Sequence, residues 1–400
     1  MEDLLFLVHR IPYPPNKGDK IRSFHLLQYL SRYYRIHLGT FIDQPTDQQY
    51  CETVQSYCTS TWFGKLSPHY AKINSIIGLL NGEALTLPYY YQRGLEKWVK
   101  AQCAKYDITR VLVYSSAMAQ YVLDAEFSTM QRIIDFVDVD SEKWRQYSMT
   151  KRFPMRWVYR REAERLGQFE CKVAKTFDAS IFVSDAEASL FRQQLGVNTA
   201  KIVAINNGVD SEFFAPDSNR LSPFHGTAPR LVFTGAMDYW ANEEGANWFA
   251  QHILPMIRQS FPTCEFYIVG MNPTAGVRQL ADLPGVIVTG AVADIRPYVQ
   301  YADVVVVPLR IARGIQNKVL EAMAMARPVV TTRTALEGIS AEIGREIQVA
   351  DTALAFVKQV INILNGNDAA LGIHARNFVE AHFSWAASLP KVLTLLEGSR

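Results

Sequence analysis

Short apolar runs alternate with longer segments of helical periodicity along the whole chain. In the first half, residues 4–9, 36–41, 111–114, 132–137, 179–183 and 202–205 read as strands, and in the second half 231–234, 265–269, 286–289, 304–307 and 329–331 do. Nearly continuous apolar strands joined by helix-length crossovers are the pattern of parallel sheets covered on both faces, which makes the class α/β. The stretch 207–228 breaks the pattern with Pro216, Pro223, Gly208, Gly226 and several Ser and Asn residues, a connector composition. The expected organisation is therefore a domain over 1–206, a linker over 207–228, a second domain over 229–382, and a terminal segment 383–400. In that last segment Trp385, Leu389, Val392, Leu393 and Leu396 recur at helical spacing, predicting an amphipathic helix that needs a surface to cover. Doubly wound sheets bind ligands beyond the C-terminal ends of their strands, so two such domains are expected to face a cleft holding the active site.

Composition narrows the function. The chain has 400 residues, 48% of them hydrophobic, and 41 Lys plus Arg against 39 Asp plus Glu, a formal net charge of +2. That balance does not favour a nucleic-acid partner, which needs a strong basic surplus or stripe. The opening Met1-Glu2-Asp3 and the short apolar run after it do not read as a signal peptide, and no stretch reaches the ~18 apolar residues of a membrane span. Five dispersed cysteines without a Cys-x-x-Cys pair fit reduced thiols in a cytoplasmic protein.

The most informative chemistry lies in 301–330. A buried strand ends at Pro308, a loop with Arg310, Arg313 and Gly314 follows, and a helix begins near Gln316 and stops before Pro328. A helix N-terminus offers unpaired N–H groups and partial positive charge, and here two arginines, Asn317 and Lys318 stand beside it, in outline a diphosphate site. Glu321 shares a face with Asn317 and Lys318, where a carboxylate can accept both hydroxyls of a ribose. The same residues also suit a solvated pair on an ordinary packed helix.

The run Leu320-Glu321-Ala322-Met323-Ala324 followed by Pro328-Val329-Val330 resembles the nucleotide-sugar signature of the retaining glycosyltransferases of family four, which have the GT-B fold. Two positions depart from it. Arg313 occupies the place of a second glutamate that lies against the transferred sugar in that family, and Ala326-Arg327 replace the glycine usual before Pro-Val-Val. The resemblance implies two Rossmann-like domains facing a cleft, with a C-terminal helix returning to the first. It also implies that the turn at Gly235 and Ala236 lies near the donor and that Val292, after the strand ending at Thr289, lies near the nucleotide base. A simple turn accounts for the latter position equally well. Asn242 reads as an N-cap, with Glu243 and Glu244 complementing the helix dipole.

In the first domain, Pro12 to Arg22 forms a Pro-rich entry to a turn and a helix with Ile21, Phe24, Leu27 and Leu30 inward. The resemblance gives Gly18 a backbone role towards the donor phosphates and Lys17 and Arg22 charge roles on the acceptor side. Asp138-Val139-Asp140 is an Asp-x-Asp pattern at a strand end. It is read as orienting an acceptor hydroxyl or as simple capping, and no metal or other cofactor is assigned. Two stretches mix aromatics and cations: 85–98, with Tyr89, Tyr90, Tyr91 and Trp98, and 151–175, with Leu166, Phe169 and Val173 at helical spacing among eight Lys and Arg. Such a basic amphipathic helix either lies on anionic lipid or packs its apolar stripe into the domain.

The whole-chain layout, with Val8-His9-Arg10-Ile11-Pro12-Tyr13-Pro14-Pro15, Asp138 to Trp144 and Gly314 to Lys318, is similar to the sugar transferases of bacterial PEP-CTERM/exosortase exopolysaccharide systems. That resemblance implies transfer from a nucleotide-sugar donor to a glycan or polyprenyl-diphosphate-linked acceptor, with retention, by a cytoplasmic enzyme in peripheral contact with the membrane. Lys318 and Arg313 would act on the departing diphosphate. A nucleotide-sugar 2-epimerase of the same fold and a catalytically silent scaffold subunit are the alternatives.

Overall fold

The computed structural model describes residues 1–15, 18–67, 75, 78–79, 81–195, 201–312 and 314–398. It divides into two compact units, Met1–Asn207 with Ser388–Arg400, and Gly208–Ala387.

The first unit is built on strands β1 (Glu2–Val8), β2 (Tyr34–Ile42), β3 (Ser60–Lys65), β4 (Arg110–Tyr114), β5 (Gln131–Val137), β6 (Ala179–Phe182) and β7 (Ile202–Ala204). They form one parallel sheet in the order β3-β2-β1-β4-β5-β6-β7. The apolar central strands are buried, as a sheet covered on both faces requires. β3 escapes the apolar pattern because Ser60-Thr61-Trp62-Phe63-Gly64-Lys65 is a half-buried edge paired only to β2. Strand order reverses between β1 and β4, which places a crevice beyond Val8 and Tyr114.

Helix Gly18–Leu30 buries Phe24, Leu27 and Leu30, and with them Lys20 and Arg22. Helices Asp140–Thr150 and Met155–Thr176 pack against each other as a hairpin. Within it Leu166 and Val173 are fully buried and Phe169 packs against the core, as does Phe177 just after it. The apolar stripe Leu166, Phe169 and Val173 of this basic helix is core, whereas Met155 and Trp157 in its first turn are exposed. At the other end of the chain, helix Trp385–Glu397 presents the Leu395 and Leu396 carbonyls to the side chains of Gln131 and Arg110, each at 3.0 Å.

The second unit carries β8 (Arg230–Thr234), β9 (Glu265–Val269), β10 (Val286–Gly290), β11 (Val304–Val307), β12 (Val329–Thr331) and β13 (Gln348–Val349) in the parallel order β10-β9-β8-β11-β12-β13. Its switch point lies between β8 and β11. Residues 208–228 are packed onto this unit. Val209 N–H donates to the Phe383 carbonyl, Gln300 exchanges two hydrogen bonds with the Asp217 backbone, and Phe224 is buried against Tyr267 and Tyr298. Among the described residues no helix is long and apolar enough to cross a membrane.

Candidate functional site

At the switch point of the second sheet, the ends of β8, β9 and β10 and the helix after β11 enclose a cavity of about 370 Å³. Its floor is backbone. A Cβ on Gly270 would lie 1.6 Å from the Gly235 carbonyl oxygen, so β8 and β9 can converge here only because residue 270 is glycine. Thr234, Gly235, Ala236, Ala291 and Val292 line one side. Ile315, Asn317, Lys318 and Glu321 line the other.

Helix Asn317–Ala324 owes its orientation to Val319, Leu320, Ala322, Met323 and Ala324, which are buried, so that Lys318 and Glu321 turn to the cavity. It ends in a Schellman turn: Ala326 takes a left-handed φ of 53°, its N–H bonds the Met323 carbonyl at 2.9 Å, and the Arg327 N–H bonds Ala322 at 3.1 Å. The family glycine is thus replaced by an alanine holding a glycine conformation.

The Lys318 ammonium donates to Oδ1 of Asn242 and lies 4.7 Å from the centre of the Phe233 ring. Asn242 in turn donates from Nδ2 to the Ala236 carbonyl at 2.8 Å. Asn242 is therefore no N-cap. Helix Trp240–Trp248 starts at Trp240, with Tyr239 in extended backbone at the N-cap position, and Asn242 turns inward to brace the lysine. Burial pulls Lys318 down to about 8, against the opposing effect of Glu321. Burial likewise pushes Glu321 up to about 7, with Lys318 opposing, and its carboxylate makes no hydrogen bond to the protein among the described residues. A lysine and a carboxyl side by side whose charging burial makes costly are a receptive arrangement for phosphate and hydroxyl groups.

A second cavity, of about 500 Å³, lies at the switch point of the first sheet. His9, Ser115, Asp140, Thr86, Tyr89, Tyr90 and Trp144 line it. His9 stacks on Tyr114 and meets Tyr90 edge-on, with Nε2 3.5 Å from Asp19. Two residues on neighbouring strand ends hold left-handed backbone, Ser115 at φ 77° and the β-branched Val137 at φ 71°, strain of a kind concentrated at functional sites.

Residues 228–366 match the family described as "Glycosyl transferases group 1". Among solved structures, the chain is similar to HepE of Anabaena in complex with UDP (15% identity, all of both chains, TM-score 0.67). It is also similar to a glycosyltransferase of Rickettsia africae (16%, all of both chains, 0.65). A third is the sucrose-phosphate synthase of Thermosynechococcus elongatus (17%, 99% of this chain and 98% of that one, 0.64). These likenesses give the two doubly wound sheets the GT-B fold. No curated protein matches the sequence.

Within the matched stretch, Gly235, Ala236, Val292, Asn317, Lys318 and Glu321 come together in one cavity. Arg310 does not join them. It pairs with Glu244 through Nε at 2.7 Å and Nη2, lies over Trp248, and borders a separate groove with Arg333 and Asp351. Gly314 sits outside the cavity in left-handed backbone, φ 66°. Arg313 and Lys17 lie outside the described residues.

In the first unit Arg22 is not a surface charge. It is buried, with Nε 2.7 Å from Asp135 and Nη1 2.9 Å from Asn207, because the inward face of its helix carries it under the sheet end. Asp140 lines the aromatic cavity, and Asp138 stands beside it, both paired with Lys143 at 3.1 and 2.8 Å. Gly18 opens its helix at an exposed position where a Cβ would meet nothing. Among the described residues no three His, Cys, Asp or Glu side chains are grouped to hold a metal.

Sequence reasoning passed over Gly270, Asn242 as brace, and His9 as a wall of the aromatic cavity. Gly270 had a signal, glycine directly after a predicted strand, where ligands approach backbone. The other two had none, since each depends on a neighbour remote in sequence.

Proposed function

We propose that this chain is a glycosyltransferase moving a hexose from a nucleotide-diphosphate sugar to a glycan acceptor carried on a lipid such as polyprenyl diphosphate. The observation that carries the reading is the pair Lys318 and Glu321, side by side in a backbone-floored cavity, the carboxylate without a hydrogen bond from any described residue. The Anabaena neighbour is solved with UDP and with UDP-glucose, which supports a uridine or related donor here.

In this reading Glu321 accepts the ribose hydroxyls, and Lys318 with the helix N-terminus neutralises the diphosphate. The bond from the anomeric carbon to the diphosphate oxygen breaks as the acceptor oxygen bonds to that carbon, and the acceptor proton passes to the departing phosphate. Charge grows on the leaving group, so a fixed cation there lowers the barrier. Retention follows if both events occur on one face of the sugar. No metal is assigned to the step. On the acceptor side Tyr89, Tyr90 and Trp144 offer faces on which a sugar ring can stack, and Asp140 and Thr86 offer hydroxyl partners. The likeness to PEP-CTERM-associated transferases supports a role in exopolysaccharide assembly at the cytoplasmic face of the membrane.

Thermal shift with UDP, GDP and their sugars tests the donor site, because a ligand at a hundred times Kd adds about 2.7 kcal/mol. Stabilisation by one nucleotide class, lost in Glu321→Ala, is expected. Failure of every nucleotide to stabilise the wild type would overturn the reading.

A further inference from the structure

The helical hairpin of the first unit ends in an unusual surface. Its tip exposes Phe153 (85%), Met149 (72%), Trp157 (55%), Tyr147 (54%) and Met155 (43%), five large apolar side chains within eleven consecutive residues. Isolated exposed apolar residues are commonplace, but a cluster of this kind marks an interaction surface. Folding has satisfied the rest of the hairpin. Trp144, Tyr147 and Tyr159 form an aromatic cluster beneath the tip, and the stripe of the longer helix lies in the core.

The charge around the tip has one sign. From Lys143 to Arg161 the sequence has seven Lys and Arg and no Asp or Glu. Lys151, Arg152 and Arg156 at the tip are exposed and form no ion pair with the described residues. Cations interleaved with Trp, Phe and Met, at the turn of a helical hairpin, match the two layers of an anionic bilayer surface, phosphate outside and acyl chain within. We infer that the 147–157 tip is a docking surface for anionic phospholipid.

The base of the same hairpin connects this surface to the acceptor side. Asp140, Trp144 and Leu166 line the aromatic cavity. The buried Glu162 accepts hydrogen bonds from the Leu85 and Thr86 backbone, holding a second wall of that cavity. From Trp144 to the end of its helix is roughly 9 Å at 1.5 Å per residue, so a tip resting on lipid holds the cavity mouth within reach of a headgroup-linked sugar. In its purpose the inference rests on the lipid-linked acceptor proposed above, yet binding to plain vesicles needs neither donor nor acceptor, and nucleotide stabilisation reports separately on the donor site.

The test is co-sedimentation with vesicles of phosphatidylcholine alone and of an equal mixture with phosphatidylglycerol. The wild type is expected to bind the mixed vesicles, less so as salt rises. Phe153→Ser with Trp157→Ser, and separately Lys151→Glu with Arg152→Glu, should each weaken binding at least about tenfold while leaving thermal unfolding unchanged. As a second readout in a conservative background, bromolipid quenching of tryptophan emission should fall in Trp157→Phe. Absence of wild-type binding to the mixed vesicles, or binding indifferent to both pairs of substitutions, overturns the inference. Concentration-dependent dimerisation abolished by the same substitutions, without vesicle binding, would assign the patch to a second copy instead.

Discussion

Lys318 and Asn242 stand 76 positions apart in sequence, yet the carboxamide oxygen of one takes the ammonium hydrogen of the other, fixing the cation over the β8 turn. A hydrogen bond to a charged group contributes about 1.5–3 kcal/mol when intact. Asn242→Ala should therefore weaken nucleotide-diphosphate binding by about ten- to a hundredfold, and Asn242→Gln should recover little because the longer side chain displaces the lysine. Calorimetric titration checks this, and an unchanged Kd in Asn242→Ala would remove the brace from the account.

Donor binding should depend on pH with two limbs. Glu321, pushed up to about 7, must ionise to accept ribose hydroxyls, so affinity should fall as pH drops below that value. Lys318, pulled down to about 8, must stay protonated to meet the diphosphate, so affinity should also fall as pH rises above it. Nucleotide Kd against pH should thus be tightest between the two. Glu321→Gln should flatten the acidic limb and Lys318→Met the alkaline one.

Arg22 and Asp135 make a buried ion pair. Burial raises the Asp135 carboxyl, with Arg22 as the main opposing influence, so removing the arginine strands an acid in the core. Arg22→Ala should cost about 3–5 kcal/mol of stability in chemical denaturation. Arg22→Ala with Asp135→Ala should cost less than the sum of the two single changes, a coupling that a solvent-exposed acceptor-binding arginine would not produce.

Ala326 holds a left-handed φ that costs an alanine about 1–2 kcal/mol, while glycine loses about 0.5–1 kcal/mol more chain entropy on folding. Ala326→Gly should accordingly stabilise by up to about 1 kcal/mol with no change in nucleotide affinity. A lower unfolding midpoint in that variant would contradict the Schellman geometry.

Gly270→Ala should be far more damaging than any other single methyl added near the cavity, since its Cβ would overlap the Gly235 carbonyl. Loss of nucleotide stabilisation is expected wherever the variant still folds.

The sequence by itself determined the α/β class, most strands, and the placing of Lys318 and Glu321 on one helix face. These are local: a run of Val304 to Val307 excludes water whichever neighbour it finds, and residues three apart on a helix share a face wherever the helix lies. Edge strands β3 and β13 were illegible because a strand paired on one side needs no apolar pattern. Only the tertiary structure decided that Arg22 is buried, that Arg310 is taken by Glu244, that Asn242 braces Lys318 instead of capping a helix, and that the stripe of the long basic helix is core while its tip is bare. Each depends on which remote group removes water from a side chain or replaces it, and that is a property of packing which no spacing along the chain encodes.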